Sequence, residues 1–499
     1  MAEPAGFRVS ARRHDGLLAV TLGALTLLRL LVAGSVPLSP DEAYYWVFSR
    51  ALAAGYPDHP PMVALWIRAG TMIAGHGSLG VRLLGPLSAA FGSLLLYDTA
   101  ARLLPGHPDA PIIAPVLLNA TLLFGVGTVI MTPDTPLLFF WICCLWALAR
   151  LISDGQAYWW LAVGLFAGLA LASKYTAVLL WIGIGASLLI VPTLRHWWRS
   201  SALWAGASFG ALVFLPVVLW NAHHGWVSFF RQGGRLGAWQ PARAIQYVAE
   251  LIAGQAGLAT PLLFVLFLAG TVWVTRCAWR TREPGCVLLA ALILPGTALF
   301  LQHAMGDRVQ GNWPAILYPA AGIGAAGLDG TLWRRLRGPA IALGLGVTAV
   351  VYIEAGTFVL PLPIASNPIA HQIAGWETLA HAVEAARRSD GADFVAADNY
   401  SVASELARRG LPVLGVGARW QLLNLPAASI EGQSGILIST TPEGAPAGWR
   451  DARLVGEAAR EQGGTILARY SLWHVSGPYR ALAVLPRIDS SRFDQPIRG

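Results

Sequence analysis

PLSPDEAYY, residues 37–45, lies just downstream of LLAVTLGALTLLRLLVAG (Leu17 to Gly34), an almost uncharged apolar run. The run is long enough to span a bilayer, for which roughly 20 apolar residues suffice. Two adjacent carboxylates, Asp41 and Glu42, then follow within a few residues of its end. How the chain is built depends on whether that junction is a membrane exit.

Composition says that it is. Of 499 residues, 55% are hydrophobic and only 12% are charged. Mean hydropathy is +0.54. A soluble globular chain carries about 25% charged residues, so this is the profile of a polytopic membrane protein. The 21 Trp suit interfacial anchors. The net charge of +8 does not point to nucleic acid, because basic residues of a membrane protein collect in its cytoplasmic loops. Cys143, Cys144, Cys277 and Cys286 show no CxxC spacing, so neither a disulfide framework nor a Cys-built zinc site is expected. Arg8, Arg12 and Arg13 precede the first apolar run, which has no AxA-type cleavage site. An uncleaved first helix is expected.

By length and apolarity there are about eleven candidate spans. They are 16–36, 80–103, 111–131, 136–152, 158–173, 176–193, 201–220, 246–275, 285–303, 313–328 and 338–360. With the N-terminus in the cytoplasm, the inside segments hold Arg102, Arg150, Arg195, Arg199, Arg276, Arg280, Arg282, Arg334, Arg335 and Arg337, as the positive-inside rule requires. The outside segments are 37–79, 132–135, the turn around Lys174, 221–245, 304–312 and everything after 360. The division expected is therefore a transmembrane part, 1–360, and an external domain, 361–499. The latter reads as α/β: helix at Gly375 to Arg388, strand at Phe394 to Ala397, helix at Ser401 to Arg409, strand at Pro412 to Val416 and strand GILIST at 435–440. A helical stretch around 451–461 and strand-like TILARYSLW and YRALAVLP complete it. GIGAAG (Gly322 to Gly327) matches GxGxxG but lies inside a candidate span, where small residues serve helix packing rather than a nucleotide.

The first outside loop is too long for a simple turn. Asp41 to Ala53 has helical spacing, with Tyr45, Phe48, Ser49 and Leu52 on one face, and Val63 to Ile73 has it again. Two short helices along the membrane surface, joined by the stiff bend YPDHPP, are expected. Asp41 and Glu42 sit in the first turn of the first, where acids also serve simply to satisfy free N–H groups and the helix dipole. Asp134 stands in a second, very short outside turn, bracketed by Thr132-Pro133 and Thr135-Pro136. It is either a solvated turn residue or an acid that converges with Asp41. Such a pair can take a proton from a hydroxyl or hold a divalent cation. That cation, on Asp41 and Asp134, is the one candidate cofactor.

The outside cations are His59, Lys174, His223, His224, Arg231, Arg235 and Arg308. Lys174 is either a phosphate-binding point charge or a snorkelling interfacial residue. His223 and His224 would point about 100° apart on a helix, which does not favour joint metal ligation.

PDEAYYW followed by GYPDHPPM resembles bacterial membrane glycosyltransferases of the family 39 type. These are related to protein O-mannosyltransferases and to aminoarabinose and galacturonic acid transferases acting on lipid A. TPDTPLLFFW, ASKYTAVLL, GNWPA (Gly311 to Ala315) and ADNYSVASELA (Ala397 to Ala407) are similar to the same group. The resemblance implies a GT-C fold, a large first external loop, an external C-terminal domain and a polyprenyl-phosphate sugar as donor. The acceptor would be a lipid, glycan or protein. Asp41 matches the family's essential carboxylate, read as the general base, and Asp134 its second external acid. Lys174 and His59 match positions near the donor phosphate or sugar, and Glu42, Tyr44 and Arg308 complete the candidate substrate-binding set. The enzyme would be an inner-membrane protein with its site and C-terminal domain on the periplasmic or extracellular face. RWQLLNLP (Arg419 to Pro426) departs from the aromatic run expected there, and the span count is below that of the aminoarabinose enzymes. Rival readings are a secondary transporter, which would want an internal repeat and broken mid-membrane helices, and a polysaccharide polymerase or ligase.

Overall fold

The computed structural model describes residues 5–234, 239–360, 363–440, 448–477 and 481–488, with backbone alone for 5–15. Arg235, the side chains of Arg8, Arg12 and Arg13, and the first two residues of YRALAVLP lie outside the described residues.

Seven described helices are long and apolar enough to cross a membrane: Gly16–Ser35, Ser78–Leu103, Asp134–Asp154, Ser201–His223, Pro261–Thr281, Pro284–Ala304 and Thr331–Thr357. An eighth span results if Tyr175–Ile190 and Pro192–Arg199, bent by 112°, are taken together. The chain is a multi-pass membrane protein. Of the expected eleven, 111–131 and 158–173 hold the short apolar helices Ala110–Asn119 and Trp159–Leu171. The expected span 313–328 is likewise a 3-10 turn, Trp313–Leu317, followed by a nine-residue helix, Tyr318–Ala326. The expected span 246–275 is two helices, Pro241–Ala259 and Pro261–Thr281. Thr260 breaks them with φ +73°, and Pro261 brings no N–H to continue the first.

The described residues form two compact units: those within Met1–Ala33, Asp58–Val63 and Arg82–Val351 make the first, and those within Gly34–Pro57, Ala64–Val81 and Tyr352–Gly499 the second. The expected division at 360/361 lies near the start of the last of these segments. The second unit, however, also takes in most of the first outside loop.

In the first unit, glycines let helices touch backbone to backbone. A Cβ on Gly164 would lie 1.9 Å from the Gly206 carbonyl oxygen, and one on Gly206 would lie 2.2 Å from that of Trp160. GIGAAG does the same: a Cβ on Gly270 would meet the Ala325 nitrogen at 2.3 Å. The motif lies in a helix with no strand before it, so it is a packing surface, as expected. Cys277 and Cys286 are disulfide-bonded across the short connection between two of the long helices. This is a single bridge rather than the framework that spacing argued against. Cys143 and Cys144 are buried thiols.

In the second unit, seven described strands form one sheet. They are β1 Phe394–Ala397, β2 Val413–Gly415, β3 Ala427–Ala428, β4 Ser434–Ser439, β5 Asp451–Gln462, β6 Thr465–Ser476 and β7 Leu482–Val484. Their order is β3-β7-β2-β1-β4-β6-β5. β1 runs parallel to β2 and β4, while β6, β5 and β7 are antiparallel to their neighbours. The expected helix at 451–461 is thus a strand. DARLVGEAAREQ is rich in helix formers, but Gly463-Gly464, at φ +55° and +77°, makes the two-residue turn that folds it back on β6. The unit's first segment carries the Pro40–Arg50 helix, which packs against the Tyr400–Arg408 helix. This corrects the expectation of a one-faced surface helix: Glu42 through Ser49 are all buried. Phe48 stacks on Tyr56 at 4.1 Å, and the Tyr56 hydroxyl donates to the Phe48 carbonyl at 3.0 Å, closing the YPDHPP bend onto the helix. The second short helix, Met62–Ala74, does leave an apolar face open at Leu65, Met72 and Ile73.

Gly164→Ala should force two helix backbones apart and cost about 1–3 kcal/mol, seen as a lower thermal midpoint in detergent. Gly254→Ala, in a helix with open space at the Cβ position, should leave the midpoint unchanged or raise it.

Candidate functional site

Ser39 caps the Pro40–Arg50 helix, and Pro40 occupies its first position, where a missing N–H costs nothing. The Ser39 hydroxyl accepts from the Glu42 N–H, and Glu42 Oε2 accepts from the Ser39 N–H at 2.9 Å, a reciprocal capping box. Glu42 is 0% exposed, whereas Asp41, one residue earlier, is exposed. The two adjacent carboxylates therefore have separate environments: one is spent on the helix end and the other faces outward.

Tyr400 donates its hydroxyl to Asp41 Oδ1 at 3.2 Å. Burial, and then the Asp41 charge, push the Tyr400 phenol above its ordinary range. Tyr44 is buried, with its ring 4.6 Å from that of Tyr400. Arg419 stacks on Tyr400 at 4.3 Å and on Tyr44 at 5.3 Å, and donates to the Tyr44 hydroxyl at 3.1 Å. Trp420 meets Tyr44 edge-on at 5.6 Å. Tyr400 opens the helix after β1, and Arg419 lies in the Ala418–Gln421 turn after β2. Both stand at the carboxyl ends of parallel strands, the edge where α/β sheets gather ligand-binding groups. Deeper on the same helix Glu405 pairs with Arg409; burial pushes the Glu405 carboxyl up.

In the first unit, Asp134 opens the Asp134–Asp154 helix. Thr135 locks its turn, accepting from the Thr132 N–H at 3.2 Å and donating to the Ile130 carbonyl at 2.9 Å. Lys174 donates to both Asp134 oxygens, at 2.7 and 2.9 Å, and Asn312 Nδ2 donates to Oδ2 at 2.6 Å. The ammonium also lies 5.8 Å from the centre of the Trp313 ring. TPDTP, ASKYT and GNWPA, three stretches distant in sequence, thus meet at one carboxylate. Beside Lys174, Tyr175, Asn221 and Ser228 form a buried hydrogen-bonded triangle.

The remaining candidates fall elsewhere. His59 is half-buried in the YPDHPP bend, whose Asp58 accepts from Arg231 at 2.6 Å and, through its carbonyl, from Gln232 at 2.7 Å. Arg308 is exposed and chelates Glu250 at 2.7 and 3.1 Å. The His224 ring stacks on Trp220 and bonds its carbonyl oxygen. Asp41 and Asp134 belong to different units. As a ligand for the expected divalent cation Asp134 fits poorly, since its charge is already matched by the Lys174 ammonium. Among the described residues the one cluster of three metal-type side chains is Cys277, Glu283 and Cys286, which contains neither acid and whose two sulfurs are joined in the disulfide. Sequence reasoning did not single out Tyr400, Arg419 or Asn312. The only signal was that each lies within a stretch compared with the family.

Residues 58–220 match a family model described as dolichyl-phosphate-mannose-protein mannosyltransferase. The lipid A galacturonosyltransferase RgtD of Rhizobium johnstonii is 26% identical over 397 residues, 79% of this chain and 82% of that one. An undecaprenyl phosphate-alpha-4-amino-4-deoxy-L-arabinose arabinosyl transferase of Erwinia tasmaniensis is 30% identical over 301 residues, 54% and 51% of the two chains. Among solved structures, ArnT from Cupriavidus metallidurans bound to undecaprenyl phosphate superposes with a TM-score of 0.60 at 15% identity, covering 91% of this chain and 97% of that one. The fold is GT-C, as the motifs implied, and the chain stands among the membrane glycosyltransferases.

Lys174→Ala would leave the largely buried Asp134 carboxylate unpaired, at a cost of about 3–5 kcal/mol. The thermal midpoint in detergent should drop accordingly. Lys174→Met combined with Asp134→Leu, which removes both charges, should recover much of the loss.

Proposed function

We propose that this membrane glycosyltransferase moves a sugar from a polyprenyl-phosphate donor to an acceptor hydroxyl, with Asp41 as general base. The observation that carries the reading is the separation of the two first-loop acids. Glu42 is buried in the capping box, while Asp41 is exposed and accepts a hydrogen bond from a phenol. Asp41 takes the acceptor proton as the hydroxyl oxygen attacks the anomeric carbon. The C–O bond to the polyprenyl phosphate breaks on the opposite side, so the configuration at that carbon inverts. No nucleotide enters the step.

The leaving phosphate needs cationic or N–H partners. Two of the three N–H donors of Lys174 go to Asp134, and the third serves a phosphate oxygen. Asp134 and Asn312 hold the ammonium in place, and His59 is a second contact for the donor. Glu42 acts through the helix it caps, and Tyr44 through the cluster around Asp41. Arg308, chelated by Glu250, is an outer contact of the donor. The basic inside segments favour the external face of a bacterial inner membrane for the site and the sheet domain. One relative matched over most of both chains is a lipid A galacturonosyltransferase. Polyprenyl-phosphate galacturonate and lipid A are accordingly the first donor and acceptor to test. The transporter and polymerase readings draw no support from any of these relatives.

The purified protein in vesicles should transfer label from that donor to lipid A, with no transfer from a nucleotide sugar. Asp41→Asn should lower turnover by about 10²–10⁴-fold with the thermal midpoint retained. Near-normal turnover in Asp41→Asn would remove it as the base. The anomeric proton coupling of the product reads the inversion.

A further inference from the structure

We infer that Tyr400 and Arg419, on the sheet domain, are positioning residues for Asp41: Tyr400 holds the carboxylate ionised and oriented, and Arg419 holds Tyr400. The inference rests on the reading of Asp41 as base and extends the site to residues far along the chain.

A general base at the exposed first turn of a helix has two weaknesses. Neither the direction of its carboxylate nor its ionised state is set by the helix end alone. A phenol donating to the carboxylate counters both, because a hydrogen bond to the charged form favours that form. The Tyr400 hydroxyl, 3.2 Å from Asp41 Oδ1, is placed to do this.

The scaffold behind Tyr400 is stiff. β1 ends at Ala397, and Asn399 caps the following helix, accepting from the Ser401 N–H at 2.8 Å. Asp398 is tied by the Ser439 hydroxyl at 2.5 Å, at the end of the parallel neighbour β4. Tyr400 is therefore the first residue of a capped helix on the central strand of the sheet. Its ring then has two close neighbours, the Tyr44 ring at 4.6 Å and the Arg419 guanidinium at 4.3 Å. The second contact of Arg419, to the Tyr44 hydroxyl, comes from the same helix that carries Asp41. Arg419 thus grips the base's own helix and the base's hydrogen-bond donor together. A planar, always-charged guanidinium can stack on one ring and donate to the hydroxyl of another, which a lysine cannot reproduce. Gly417, at φ +102°, turns the chain after β2 so that Arg419 follows in a short helical turn, with Trp420 buried behind it.

The test is the pH dependence of transfer, compared among variants of the full-length protein in vesicles. Tyr400→Phe removes one hydroxyl and keeps the ring. Without the donor, Asp41 should protonate at higher pH. The acid limb of kcat should then move up by about one pH unit, tenfold in the ionised fraction at a given acidic pH, with the thermal midpoint unchanged. Replacing Tyr400 with a ring-fluorinated tyrosine, a stronger donor, should move the limb the opposite way. Arg419→Lys should shift the limb in the same direction as Tyr400→Phe, and added to Tyr400→Phe it should shift the limb no further, because it acts through that hydroxyl. If Tyr400→Phe keeps the wild-type pH profile, or loses rate without moving the acid limb, the positioning role is wrong while Asp41 stands. If Asp41→Asn itself turns over normally, the base assignment falls and this inference with it.

Discussion

The ion pair of Lys174 with Asp134 is the constraint around which the membrane unit is arranged. Neither charge can be left alone in so apolar a body, where an isolated ionised group costs several kcal/mol. Their contact therefore fixes the turn before the Asp134–Asp154 helix against the break after the Trp159–Leu171 helix. Asn312 adds a third segment, 178 residues from Asp134. Around these tied loops the helices close through glycines whose missing side chains let carbonyl oxygens come near neighbouring backbone. Polar groups thus set the register and small residues set the distance, as is usual where lipid supplies no hydrophobic drive between helices.

Much of this was legible in the sequence, and the exceptions share a cause. Long apolar runs report spans directly, because lipid leaves the backbone few other options. β1 was readable to the residue, since a short buried run beside turn residues has few competing structures. The signal failed where non-local pairing overrode local preference. DARLVGEAAREQ has the composition of a helix and becomes a strand because β6 offers it a ladder and Gly463-Gly464 the turn. The run 246–275 is apolar throughout, and hydropathy does not register a single residue at positive φ before a proline. Asp41 to Ala53 showed one apolar face, yet the whole helix from Glu42 to Ser49 is buried, because its other sides meet the sheet unit rather than solvent.

The candidate site divides in the same way. Acids at helix starts and a lysine in a short turn stand out in an apolar sequence, so Asp41, Asp134 and Lys174 were visible. That Lys174 would be the partner of Asp134 was not, since two residues 40 apart in different turns leave no pattern. Tyr400 and Arg419 are ordinary residues of a small α/β domain until the fold brings one within hydrogen-bonding reach of a carboxylate 359 positions earlier.

The burial of Glu42 through Ser49 in the Pro40–Arg50 helix has a consequence for how such proteins can diverge. Its packing surface and that of the Tyr400–Arg408 helix form one interface, so the first loop and the middle of the sheet domain are a single unit of inheritance. A chimera that takes the loop from one relative and the sheet domain from another would join two unmatched halves of a core. Recombination within this architecture must carry both segments together, although residues 51–399, most of the membrane unit among them, lie between them in the gene.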